Sequence, residues 1–226
     1  MVEEWSESPE YTKNYQARLS RLAECREAWR RNISLEPALF GKLKVIIDGI
    51  VDSDQYLIKF REHMDHFAGY THEELRQNPE LVRSSDSCAL QVALLVHYLR
   101  KSDLGLNYAP ALGNTDATVF HWLCVAASGN ISSIKQAQLV VDPTIMQVYN
   151  SFIGIPIGER TKHMRGLASS CVTNHGVFVG SPLTYEDFLV KLSKYYSYNQ
   201  GEEYADFEVV DSKGDTALLK EFGLVA

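Results

Sequence analysis

Four cysteines stand at positions 25, 88, 124 and 171, and Cys88 has the surroundings of a nucleophile. It follows Ser84-Ser85-Asp86-Ser87, a cluster of residue types that start helices. It opens the run Cys88-Ala-Leu-Gln-Val-Ala-Leu-Leu-Val-His-Tyr-Leu-Arg100, strongly apolar and without Gly or Pro. A thiol in the first turn of such a helix meets unpaired backbone N–H groups and the positive end of the helix dipole, and both favour the thiolate. The same N–H groups can donate to an oxyanion developing on an attacked carbonyl. Cys25 falls mid-helix, and Cys124 and Cys171 have strand or loop contexts without this feature.

A thiol nucleophile needs a base, and the base needs an acceptor that orients it. His121 opens the strand-like segment His121-Trp-Leu-Cys-Val-Ala-Ala127. Alternation along a strand puts His121, Leu123 and Val125 on one face, and Trp122 and Cys124 on the other. Asp142 ends the next apolar strand, Gln138-Leu-Val-Val141, and precedes Pro143. Cys88, His121 and Asp142 are therefore the candidate nucleophile, base and orienter. His175, in Asn174-His175-Gly176-Val177-Phe178-Val179-Gly180, is the competing base. His121 is preferred because an Asp closes the strand that follows it, whereas no Asn or Asp closes an equivalent strand after His175.

These residues must be held by elements of two kinds. The first ~80 residues carry apolar positions at helical spacing, such as Tyr15, Leu19, Leu22 and Trp29. A helix is expected from Pro37 to Val51, where proline suits the first turn. A second runs to about Phe67, with Asp52 and Asp54 as candidate caps. Thr71 and Glu74 form a capping-box pattern, and Asn78-Pro79 ends that helix. After Ser84 come the Cys88 helix, a loop over Gly105–Thr115, and strands over Thr118–Ala127, Ala137–Val141 and Gly176–Val179. A helix over Thr184–Tyr196 with Thr184 as cap follows, then a last short strand at Phe207–Val210. This order predicts an α+β fold, with a helical segment over 1–83 and an antiparallel sheet packed on the Cys88 helix within 84–226.

A Cys at a helix start, a His-Trp opening a strand and a Val-Asp-Pro-Thr closing the next resemble the papain-like fold, and most closely its transglutaminase-like branch. The segments Ile145-Met-Gln-Val-Tyr149 and Phe178-Val-Gly-Ser-Pro-Leu-Thr-Tyr185 look similar to the bacterial protein-glutamine deamidases of that branch. The resemblance spans roughly Ser84 to Leu189, and the helices before it have no counterpart in the family. It implies acyl transfer on carboxamides, with glutamine side-chain deamidation favoured and transamidation or peptide and amide cleavage as alternatives through the same thioester. Papain-like enzymes carry an oxyanion glutamine several residues before the cysteine. Val82 occupies the matching place here, the nearest amides are Gln77 and Asn78, and the second oxyanion donor is unassigned. The other class of function is a catalytically inactive papain-like module that binds partners through its helical first third.

Composition narrows the partners. A hydrophobic content of 45% supports a real core, and a net charge of −7 with a pI near 5.5 argues against phosphate-backbone binding. The aromatic cluster Tyr195-Tyr196-Ser-Tyr198 lacks the interleaved basic residues of a nucleic-acid platform. No 18-residue apolar run is present, so no membrane span is expected. Met1-Val-Glu-Glu-Trp5 is too acidic for a secretory signal, which points to a cytoplasmic protein or an effector delivered without one. The cysteines show no CxxC and no zinc-ligand spacing, and His63 and His66 with Asp65 are only a weak metal signal, so no cofactor or metal is expected. The expected partner is a protein or small-molecule amide substrate; nothing fixes an oligomeric state.

Overall fold

A computed structural model describes residues 9–32, 35–113, 121–148, 154–193 and 207–226. Met1 to Trp5, residues 118–120 of the expected second strand, Tyr149, and the Tyr195, Tyr196 and Tyr198 cluster lie outside the described residues. Five helices come first: α1 (Pro9–Arg31), α2 (Pro37–Val51), α3 (Asp54–His63), α4 (His72–Gln77) and α5 (Pro79–Arg83). The apolar helix α6 (Cys88–Leu99) leads into β1 (Asn107–Gly113), β2 (His121–Ala127) and β3 (Leu139–Asp142). The single turn α7 (Met146–Val148), then α8 (Arg160–Ala168), β4 (Phe178–Gly180), α9 (Pro182–Ser193), β5 (Phe207–Val209) and α10 (Ser212–Glu221) complete the fold. The fold class is α+β. The five strands form one sheet in the order β4-β3-β2-β1-β5, with every neighbouring pair antiparallel.

Strand alternation sorts the core into two layers. Leu123, Val125, Val140, Phe178 and Phe207 pack on one face with Leu22 and Trp29 of α1 and Phe188 and Leu192 of α9. Cys124, Ala126, Leu139, Val141 and Val179 pack on the other with Leu95, Val96 and Leu99 of α6, backed by Leu43 and Ile47 of α2 and Leu57 and Phe60 of α3. Helix α6 is buried almost all round, which accounts for its unbroken apolar run. The polar atoms of α1 tie it to the far face: Trp29 Nε1 donates to the Ile134 carbonyl at 2.8 Å, and Arg26 pairs with Glu186 on α9. Among the described residues no helix is long and apolar enough to cross a membrane.

Several boundaries differ from the expectations. Residues 107–113 of the expected loop form β1, the strand between β2 and β5. Pro110 is tolerated because it faces the end of β5, where the Val210 N–H donates to its carbonyl at 3.0 Å and no N–H is asked of it in return. Ser53, between the two expected aspartates, caps α3 by accepting from the Tyr56 N–H at 3.2 Å. Ser181 plays that part for α9, accepting from the Thr184 N–H at 3.1 Å, while Thr184 lies inside the helix. The Thr71–Glu74 capping box is present as expected. Helices α8 and α10 have no counterpart among the expected elements.

Candidate active site

The ends of α6, β2 and β3 bring the three candidate residues to one edge of the sheet. Cys88 is the first residue of α6. His121 is the first of β2 and Asp142 the last of β3, and antiparallel pairing of these strands puts both at the same end. His121 and Asp142 share the α9 face with Val125 and Val140. His121 Nε2 lies 2.9 Å from Asp142 Oδ2, with the His121 side chain 18% exposed and Asp142 fully buried.

Asp142 is held from three sides. Oδ2 also accepts from the Tyr185 hydroxyl of α9, and Oδ1 accepts from the Thr144 backbone N–H at 2.9 Å. A buried carboxylate needs such donors, because leaving an anion unpaired in the interior is costly. The Asp142-Pro143-Thr144 turn supplies one of them locally, as Asp commonly does two residues on.

The thiol sits among backbone donors. The backbone N–H groups of Trp122, next to His121, and of Ala89 lie close enough to the Cys88 sulfur to favour its ionised form. They are exposed to it because the serine cluster does not cap the helix. Ser87 Oγ accepts from Gln91 Nε2 at 2.7 Å and pairs with Ser85 Oγ at 2.7 Å, and makes no cap bond to the first turn. Burial nevertheless pushes the thiol above its ordinary range. The Trp122 and Ala89 N–H groups pull it down, the Asp142 charge pushes it up again, and burial prevails. The helix start was expected to favour a preformed thiolate; in the folded chain desolvation outweighs it, because the sulfur is largely enclosed.

The chain entering the site is braced by side chains outside the triad. Gln91, fully buried on α6, donates to the Val82 carbonyl at 2.8 Å. Arg160 of α8 donates to Ser84 Oγ at 2.5 Å, and Gln147 of α7 donates to the Ser85 carbonyl. Val82 thus contributes its carbonyl to the loop before Cys88. Gln77 and Asn78 turn back onto α4, bonding Glu73 and the Glu74 carbonyl. His175 lies in the turn between Thr173 and Val177, its backbone N–H bonded to Asp48 at 3.1 Å, and lines a narrow cavity with Arg76, Pro79 and Val82. His63 bonds the Lys59 carbonyl through Nδ1 at 2.9 Å, and His66 packs on Phe67, so the two rings serve separate local contacts.

Tyr185, the Trp122 N–H and the Gln91 brace were not among the expected site residues. Tyr185 carries no motif that ties it to Asp142, and a backbone donor has no residue type to read. Comparison with protein-family models, curated proteins and solved structures finds no match to this chain.

Proposed function

We propose that the chain is a thiol-dependent acyl-transfer enzyme acting on carboxamides, with deamidation of a glutamine side chain as its favoured reaction. The observation that carries this is the His121–Asp142 pair at 2.9 Å, with Asp142 and the Trp122 N–H near enough to Cys88 to act on its thiol. With Nε2 directed to Asp142, Nδ1 is the ring nitrogen that serves the thiol. The raised thiol calls for a resting pair in which Cys88 and His121 are both neutral. As the sulfur bonds to the amide carbon, the thiol proton passes to His121. The carbonyl oxygen becomes an oxyanion beside the Ala89 and Trp122 N–H groups. His121 then protonates the departing ammonia, leaving a thioester. Water, losing its proton to His121, cleaves the thioester to a carboxylic acid and restores the thiol. Transamidation or peptide cleavage would follow the same course with a different acceptor or leaving group. Four free cysteines, Cys25, Cys88, Cys124 and Cys171, fit a reducing cytoplasmic setting.

The enclosed, raised thiol also favours one rival reading, an inert papain-like binding module. Iodoacetamide labelling with intact-mass readout and peptide mapping separates the two. An active site predicts labelling of native Cys88 ahead of Cys25 and Cys124, increasing with pH through the range above an ordinary thiol, and weakened in His121→Ala. Ammonia release from glutaminyl peptides should vanish in Cys88→Ala and His121→Ala, with both variants still folded by circular dichroism. Native Cys88 that resists reagent until unfolding, together with no product from peptides, amines or amide substrates, would favour the module.

A further inference from the structure

Ser87 stands directly before α6, the place from which a serine hydroxyl ordinarily accepts an N–H of the first turn. The chain uses that device elsewhere. Ser53, Thr71 and Asp211 have extended backbones and accept from the N–H groups of Tyr56, Glu74 and Gly214. Ser87 does not: its backbone lies at φ −136° and ψ 29°, and its hydroxyl makes no cap bond. The donors that a cap would claim are the N–H groups of Ala89 and Leu90, and that of Ala89 also acts on the Cys88 sulfur.

A buried network of hydrogen bonds holds the Ser87 hydroxyl off. Arg83 Nη1 donates to the Tyr56 hydroxyl at 2.9 Å, and a guanidinium can only donate. The Tyr56 proton therefore goes to Gln91 Oε1, 3.3 Å away, which turns Gln91 Nε2 to the serines. Nε2 donates to the Val82 carbonyl at 2.8 Å and to Ser87 Oγ at 2.7 Å. Ser85 Oγ gives its proton to the Val82 carbonyl at 2.6 Å, so Ser87 donates to Ser85 Oγ at 2.7 Å. Each proton in the network thus has one direction, from a group that only donates to one that only accepts. Arg83, Tyr56 and Gln91 are all buried, so solvent offers no substitute for these bonds.

We infer that Gln91 is a positioning residue of the thiol site: it holds the Ser87 hydroxyl away from the first turn of α6, so that the Ala89 N–H stays open to Cys88 and to the reacting oxygen. The role towards the reacting oxygen rests on the acyl-transfer reading; the role towards the sulfur does not. With Gln91 replaced, Ser87 is free to take an extended backbone and cap α6, which draws the Ala89 N–H from the sulfur.

The test is a pH titration of the full chain carrying carbon-13 at its cysteine Cβ atoms. The Cys88 resonance then reports its own ionisation whether or not the chain is an enzyme. Gln91→Met, apolar and of similar length, should raise the Cys88 midpoint by roughly one pH unit, the tenfold change in acidity that a bond to a charged group contributes. Adding Ser87→Ala should bring the midpoint back, because no hydroxyl is left to cap the helix, and Ser87→Ala alone should leave it unmoved. A merely structural role for Gln91 would shift the single and the double variant alike. An unmoved midpoint in Gln91→Met, or a shift that Ser87→Ala does not relieve, overturns the inference. Should Gln91→Met not fold, the wild type decides: an Ala89 amide proton resonance that moves with the Cys88 titration supports the inference, and one that stays put overturns it. Ammonia release from glutaminyl peptides tests the acyl-transfer reading separately; its absence would remove the role towards the reacting oxygen and leave the titration result standing.

Discussion

Asp142 Oδ2 accepts from two side chains at once, the His121 imidazole and the Tyr185 hydroxyl, and so the phenol moderates the pull of the carboxylate on the imidazole. Tyr185→Phe removes one donor and leaves the ring, which packs on Phe178 with centroids 4.6 Å apart. The carboxylate then draws more strongly on protonated His121. On the proposed mechanism His121 must be neutral to accept the thiol proton, so the low-pH limb of the rate profile should move to higher pH. A profile measured on wild type and Tyr185→Phe checks this; an unshifted limb would reduce Tyr185 to a packing residue. Cys88, His121 and Asp142 were legible in the sequence because each stands at the end of a strongly patterned element. Tyr185 was not, because the reach of its hydroxyl depends on how α9 docks across β3 and β4. The raised thiol was illegible for a similar reason: the helix N-terminus is a local signal, whereas enclosure by β2 is tertiary.

The surroundings of His121 are set by the fit between β1 and β5. Gly113 of β1 pairs with His121 in register and with Phe207 on its other side. A Cβ on Gly113 would lie 2.7 Å from Phe207 Cζ, and the Phe207 ring stands edge-on to His121, with centroids 6.4 Å apart at 87°. The glycine therefore makes room for a ring that borders His121. Gly113→Ala should cost about 1–3 kcal/mol through overpacking and depress activity by displacing Phe207. Phe207→Leu in the same chain should recover part of the stability, measured by urea unfolding; no recovery would place the strain elsewhere. Such fits explain why β1 was hidden in the sequence. Asn107-Tyr-Ala-Pro-Ala-Leu-Gly has the small residues and proline of a loop, and it can be a strand because the end of β5 uses only the Pro110 carbonyl, which accepts from the Val210 N–H at 3.0 Å. Helix α8 was hidden differently: Arg160 and Met164 are its buried residues, too few to write an apolar stripe. Helices α2 and α4 had a proline start and a capping box, which are local, and these were readable.

At the scale of the molecule the sheet is covered on both faces, by α6 with α2 and α3 on one and by α1 with α9 on the other. The helical character of the first third was plain from its periodicity, but its division between two faces was not, since amphipathic patterns state that a helix packs and leave open on what. Cys124 lies at the centre of this arrangement, fully buried between β2 and α6, and its thiol is pushed up to about 12, chiefly by burial. An ordinary thiol ionises near 8.5, as Cys124 does once the chain unfolds. Between these values the native state keeps a proton that the unfolded state releases, so stability falls as pH rises from the lower value. By pH 10 the loss from this group amounts to about 2 kcal/mol. Cys124→Ala cannot titrate there. It should be the less stable protein near pH 7.5, for want of the buried sulfur, and should lose less on going to pH 10. Groups away from Cys124 cancel in the comparison; Tyr108, whose phenol is raised to about 12 by burial and then by Cys124, stays mostly protonated at pH 10 in the native wild type. Urea unfolding of both proteins at the two pH values should therefore show the wild-type advantage shrinking by about 2 kcal/mol. A constant difference would mean that Cys124 ionises alike in both states, which requires water to reach the layer between α6 and the sheet.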